Sequence, residues 1–185
     1  MPFGGRVEYD YRACPILGET LRYWDRRRGP RTMPARRDID PVEIPRLLSH
    51  LQLTEVVAGG ARFRVRLVGT AIVDAFGLDF TGKHVDEFLA GERCSFVHDY
   101  YRRVCAARQP VFVRSKYLGN KELERTANRL LLPLSEDGAQ VDKILSAMTF
   151  EFAAPRGARI GRDAEIDLAA SRIEAVEQGG EAIAG

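Results

Sequence analysis

The chain has little of what marks most catalytic, secreted or membrane proteins. It holds three cysteines, Cys14, Cys94 and Cys105, and no Cys-x-x-Cys pair. An odd, scattered set fits reduced thiols and excludes a disulfide frame or a structural zinc site. No apolar run approaches the roughly 20 residues of a membrane span. The opening stretch, MPFGGRVEYDYRACPILGETL, lacks a basic start followed by an apolar segment, so no secretory signal is expected and the chain reads as cytoplasmic. There is no glycine-rich phosphate loop, no nucleophile elbow and no His-Glu-x-x-His, and the acidic residues are scattered with nothing to pair them. The expectation is a protein that is not an enzyme.

What is present is ordinary globular material. Of 185 residues, 45% are hydrophobic and 29% charged, enough for one domain with a sizeable core and extensions. The net charge of +2 is too small to argue for nucleic acid. Its distribution is uneven, because Arg22, Arg26, Arg27, Arg28, Arg31, Arg36 and Arg37 crowd one short segment. That cluster could hold phosphate, an acidic protein surface or nucleic acid. It could equally be a solvated helix end, where basic residues favour the dipole. No helix-turn-helix or RNA-binding motif surrounds it, so the second reading is preferred.

Periodicity sets out the elements. Leu17, Leu21 and Trp24 give residues 16–28 an amphipathic helix. Asp40, Pro41 and Glu43 read as the start of a second helix, with Leu47, Leu48 and Leu51 on its apolar face. Strands come next at 51–57 and 62–68, joined at Gly59-Gly60. The stretch FRVRLVGTAIVDAFG then changes rhythm. Phe63, Val65 and Leu67 alternate, whereas Ala71, Ile72, Ala75 and Phe76 fall at helical spacing and Gly77 stops the helix. One turn is expected around Val85 to Leu89, a long helix over 92–108, a strand over 111–118 and a polar connection over 120–127. A last hairpin turns at Asp137-Gly138. The sum is an α+β domain, a five-stranded antiparallel sheet with helices on one face and an N-terminal helical extension. Residues 1–50 form that extension, 51–152 the core, and 153–185 a linker and tail. From Pro155 the tail reads as a linker, and 164–178 as either a weak helix with Ile166, Ala169, Ala170, Ile173 and Val176 on one face, or disorder, slightly favoured.

This order resembles the PAS sensor fold. The stretch RFRVRLVGTAIVDAFGLDFTGKHVDEF is similar to the PAS strand that yields to a short helix, and LLLPLSEDGAQVDKILSAMTF resembles the last two PAS strands. Tyr23-Trp24, MPARRDIDPVEIPRLL, FGLDFTGK and LPLSEDG further resemble a family of small, stand-alone PAS proteins typical of alphaproteobacteria. The likeness covers roughly residues 16–152. It implies a pocket between sheet and helices, and signalling through the outer sheet face or flanking helices.

On the long helix, Cys94, His98, Tyr101 and Cys105 share a face with Val97 and Val104. Cys94 and His98 could touch one metal, but two ligands do not make a structural site, and no metal is expected. In haem-binding PAS proteins the axial histidine sits on this helix, so haem through His98 is one reading. A hydrogen-bonded core histidine is the preferred one. No cysteine sits in the Asn-Cys-Arg-Phe-Leu-Gln motif of light-sensing PAS domains. The candidate pocket residues are Phe76, Val97, His98, Tyr101, Ile144, Ser146 and Met148, and a packed core would give the same set. The leading expectation is a non-enzymatic sensor or adaptor, a homodimer that binds a small molecule or partner and relays a signal to a separate protein. The alternative is a ligand-free interaction module; nucleic-acid binding through Arg22–Arg37 ranks third.

Overall fold

The computed structural model describes residues 9–118, 124–152, 160 and 164–176. The first helix, α1, spans Pro15–Arg28. Pro15 sits in the first turn, where an amide proton has no helical partner in any case. Arg26, Arg27 and Arg28 fill the last turn, against the negative end of the dipole, and Gly29 leaves the helix at a φ of 56°.

The segment 30–50 is not a second helix. It makes three single 3₁₀ turns, Arg36–Asp38, Pro41–Glu43 and Leu48–His50. Asp40 does cap the middle one, accepting from the Val42 N–H at 2.9 Å. The amide that would bond the Pro41 carbonyl in an α-helix belongs to Pro45, which has no proton to give. Ile44 N–H takes that carbonyl instead, at 3.2 Å, and the turn closes as 3₁₀. Leu47 is buried, Leu48 is exposed and Leu51 already belongs to a strand, so the three leucines form no common face.

Two strands then pair, β1 over Leu51–Val57 and β2 over Arg62–Val68. Leu53 faces Leu67 and Thr54 faces Val65, which leaves Arg66 as the extra residue of a bulge. A bulge of one residue moves the next side chains along the strand to the other face. Phe63 and Val65 are therefore fully buried, whereas Leu67 is 49% exposed. Gly69 turns the chain into α2, Thr70–Phe76, which Gly77 ends in the left-handed region. A Cβ on Gly69 would lie 2.3 Å from the Ser49 carbonyl oxygen and 2.5 Å from that of Leu48. Both obstacles are backbone. Gly69→Ala is expected to cost about 1–3 kcal/mol as overpacking, read as a lowered urea midpoint.

The remaining elements are α3 (Val85–Phe88), α4 (Gly91–Ala107), β3 (Val111–Leu118), β4 (Glu124–Leu134), β5 (Lys143–Phe152) and β6 (Glu165–Ala175). They complete one antiparallel sheet in the order β2-β1-β5-β4-β3-β6. The α+β fold is as expected, with two corrections. The polar stretch 120–127 is strand from Glu124 onward, and its first residues lie outside the described ones. The sheet has six strands, because residues 165–175 form β6 and not a helix or a disordered segment. The edge of β3 offers a row of amides and carbonyls that a strand satisfies, while a short isolated helix is marginal in water. Where the β3–β6 register breaks, the Ser171 hydroxyl accepts from the Lys116 N–H at 3.1 Å. The linker reading over 155–159 and 161–163, and the last residues, lie outside the described ones.

Alternation assigns the faces. Gln52, Arg129, Ser146 and Met148 point to the side that carries α2, α3 and α4. Leu130, Leu132, Leu134, Leu145 and Ala147 point the other way and are buried by α1 and its flanks. There Tyr9 and Tyr11 stack on Phe112, with ring centroids 5.7 and 5.0 Å away. Among the described residues no helix is long and apolar enough to cross a membrane.

Candidate functional site

A cavity of about 50 Å³ lies between the sheet and the helices α2, α3 and α4. A water needs roughly 10–15 Å³ of such space, so the cavity has room for a few waters or one small organic group. Val65, Phe80, Val85, Phe88, Leu89 and Met148 supply apolar wall. Phe80 and Phe88 stack with centroids 4.6 Å apart. Gln52, Arg93, Tyr100, Tyr101, Tyr117 and Arg129 bring polar atoms to the same space.

Two hydrogen-bond groups organise that polar wall. Gln52 Nε2–H₂ donates to the Thr54 hydroxyl and to the Tyr101 hydroxyl, each at 2.8 Å. The Thr54 and Tyr101 oxygens are 3.2 Å apart. Burial pushes both the Tyr100 and the Tyr101 phenols above the usual tyrosine value, so both keep their protons near neutrality. The second group centres on Arg129, 3% exposed in the middle of β4. Its Nη1 donates to the Ser115 hydroxyl at 2.9 Å and its Nη2 to the Tyr117 hydroxyl at 2.8 Å. Arg93, in the first turn of α4, lays its guanidinium over the Tyr117 ring at 5.1 Å and the Phe76 ring at 5.6 Å. Arg129 sits over the same rings, at 5.8 and 5.7 Å. Burial and then the nearby Arg129 charge pull Arg93 below the usual arginine value, still far above neutrality.

The seven sequence candidates divide. Phe76, Val97, Tyr101 and Met148 line the cavity. His98, Ile144 and Ser146 do not. Ile144 and Ser146 share the Met148 face of β5 but sit farther along it, fully buried, and the Ser146 hydroxyl has no hydrogen-bond partner among the described residues. His98 and Phe63 meet edge to face with ring centroids 5.5 Å apart, and the His98 Nε2 has no hydrogen-bond partner among the described residues. Burial, then the Arg102 charge, lowers its pKa, so the neutral ring is favoured. At that nitrogen it lacks the hydrogen bond that the sequence reading expects of a core or pocket histidine. Nor does it suit haem: it stands outside a cavity far smaller than the several hundred Å³ of a drug-sized ligand site. Cys94 and Cys105 are half-buried thiols whose pKa burial raises, the latter to about 11. Among the described residues no three metal-ligating side chains gather.

Among the polar residues of the cavity, Gln52, Arg93, Tyr100, Tyr117 and Arg129 are absent from the sequence candidates. The signal for Arg129 is one charge inside the run Asn-Arg-Leu-Leu-Leu-Pro-Leu, whose length marks a strand buried on both faces. The arginine cluster near α1 is largely paired within the chain. Arg27 meets Glu43, Arg28 meets Asp25, Arg31 meets Asp38, and Arg37 meets Glu136.

Searches of curated proteins and of solved structures each returned no match. A family model described as PAS domain matches residues 14–149, from the first turn of α1 nearly to the end of β5. With most of its length matched and its first five strands in the order 2-1-5-4-3, the chain belongs to the PAS-domain family.

Proposed function

We propose that this protein is a non-enzymatic PAS sensor or adaptor that holds a small molecule in the cavity and relays its state to a separate signalling protein. The supporting observation is the cavity itself, with apolar wall on several sides and five placed polar side chains besides Gln52. That is the composition of a binding site. A route outward is at hand. Tyr117, which Arg129 holds, packs in one cluster with Ile160 and Ile166, and the Ile160 N–H bonds the Ala75 carbonyl at 2.7 Å. A ligand that shifts Tyr117 or Phe76 would therefore act on the C-terminal segment, provided it binds one arrangement more tightly than the other.

Sensing in the cytoplasm and pairing as a homodimer belong to the same reading. The ligand-free interaction module has less support, since its core would be filled. Its docking surface also changes, because α1, Tyr9 and Tyr11 already cover the outer sheet face. Internal pairing of the arginine cluster speaks against nucleic acid. The test is a native mass spectrum of freshly purified protein beside a denatured one. A mass lost on denaturation identifies a retained ligand, and the same spectrum reports monomer or dimer. A bare mass, even after incubation with cell extract, would contradict the reading.

A further inference from the structure

We propose that the cavity takes a small organic anion, a short-chain carboxylate, whose carboxylate group pairs with Arg129. This rests on the sensor reading above and names its ligand class. Arg129 is nearly fully buried, and a guanidinium cannot shed its proton to relieve that. Buried charges are normally paired with an opposite charge. Among the described residues no aspartate or glutamate lines the cavity, and none makes an ion pair with Arg129. Its two hydrogen bonds go to neutral hydroxyls, those of Ser115 and Tyr117. They use two of the five donors that a guanidinium carries.

A second guanidinium adds to this. Arg93 and Arg129 flank the same two rings, Phe76 and Tyr117, so two positive charges approach one wall of one small space. A carboxylate there matches the planar fork of Arg129. The remaining wall selects a tail. Val97, Phe80 and Met148 are apolar, and about 50 Å³ leaves space for only a few heavy atoms. A carboxylate with a short alkyl chain fits both halves.

The experiment titrates full-length protein with sodium propionate, by calorimetry and by thermal unfolding. Propionamide and sodium chloride at matched ionic strength are the controls. Propionate is expected to raise the unfolding midpoint saturably, and the two controls are not. In Arg129→Met the propionate Kd is expected to rise roughly 10-fold or more, the loss of a charge-assisted pair. The midpoint without propionate is a separate quantity, because the change removes a buried charge but also leaves the Ser115 and Tyr117 hydroxyls without their donor. If that variant does not fold, Arg129→Lys keeps the charge without the fork and should bind with intermediate affinity. A propionate response no larger than that of chloride, or equal binding by wild type and variant, overturns the carboxylate proposal. Should a neutral or cationic mass be retained in the native spectrum alongside a failed propionate titration, the ligand class falls and the sensor reading stands. If the protein retains nothing and ignores propionate, both fall.

Discussion

Trp24→Ala is expected to destabilise the protein by about 3–5 kcal/mol, the range for truncating a large buried aromatic side chain. Trp24 is 1% exposed, on α1 against the sheet face opposite the cavity. Its indole N–H donates to the Pro133 carbonyl at 2.9 Å. That carbonyl is available for a sequence reason. Pro133 lies opposite Ile144 of β5, but on its other side β3 begins only opposite Leu131. A proline is tolerated there because no neighbouring strand needs its amide. For a chain of this size, each kcal/mol moves the unfolding midpoint by roughly 2–4 °C, so a fall of about 10 °C is expected. Trp24→Phe keeps most of the apolar area and loses the hydrogen bond, and should cost about 1 kcal/mol beyond the difference in size. Trp24 is the one tryptophan in the chain, so wild-type fluorescence reports directly whether α1 is docked. An unchanged midpoint in Trp24→Ala would mean that α1 is not part of the folding unit.

Val97→Phe is expected to abolish small-molecule binding while leaving the fold at least as stable. Val97 is 6% exposed on α4 and borders the cavity. A phenyl ring there adds a volume comparable to the space it would enter. Filling a void commonly stabilises by about 0.5–2 kcal/mol, whereas forcing extra atoms into a packed core costs about 1–3 kcal/mol. The two accounts of this core therefore predict opposite signs. A sensor with a real cavity gives a stable variant with no ligand mass in the native spectrum. A filled-core interaction module gives a destabilised variant. The check is a paired urea melt and native spectrum of wild type and Val97→Phe.

Much of the fold can be read in the sequence, because local signals and tertiary packing agree there. The strand bounds 51–57 and 62–68 coincide with β1 and β2, and Gly77 ends α2 where its spacing says it should. The failures have physical causes. Alternation through Phe63, Val65 and Leu67 cannot reveal the bulge at Arg66, which depends on the partner strand. The signal at Asp137-Gly138 suggests a tight turn, yet the described connection runs from 135 to 142. The Asp137 carboxylate there accepts from the Ala139 and Gln140 amides and the Ser135 hydroxyl. Residues 165–175 carry mixed apolar spacing that suits a helix as well as a strand, and the open edge of β3 decides between them. At the site, a helical face on α4 is visible in the sequence, but which side of that face meets the cavity is not. Tyr101 and Val97 meet it, while His98, one position from Val97, turns to Phe63. Arg93 and Arg129 escape notice because a charge reads as solvent-facing unless its helix or strand is known to be covered at that position.

The central claim is that this cavity is a ligand site organised around Arg129. Its most direct test is a crystal structure of freshly purified full-length protein, with the cavity density inspected before any carboxylate is added and again after soaking in propionate. The account predicts a planar carboxylate with an oxygen about 2.7–2.9 Å from an Arg129 guanidinium nitrogen, and an alkyl tail towards Val97 and Met148. Side chains collapsed into the space, or water alone in both crystals, would contradict it.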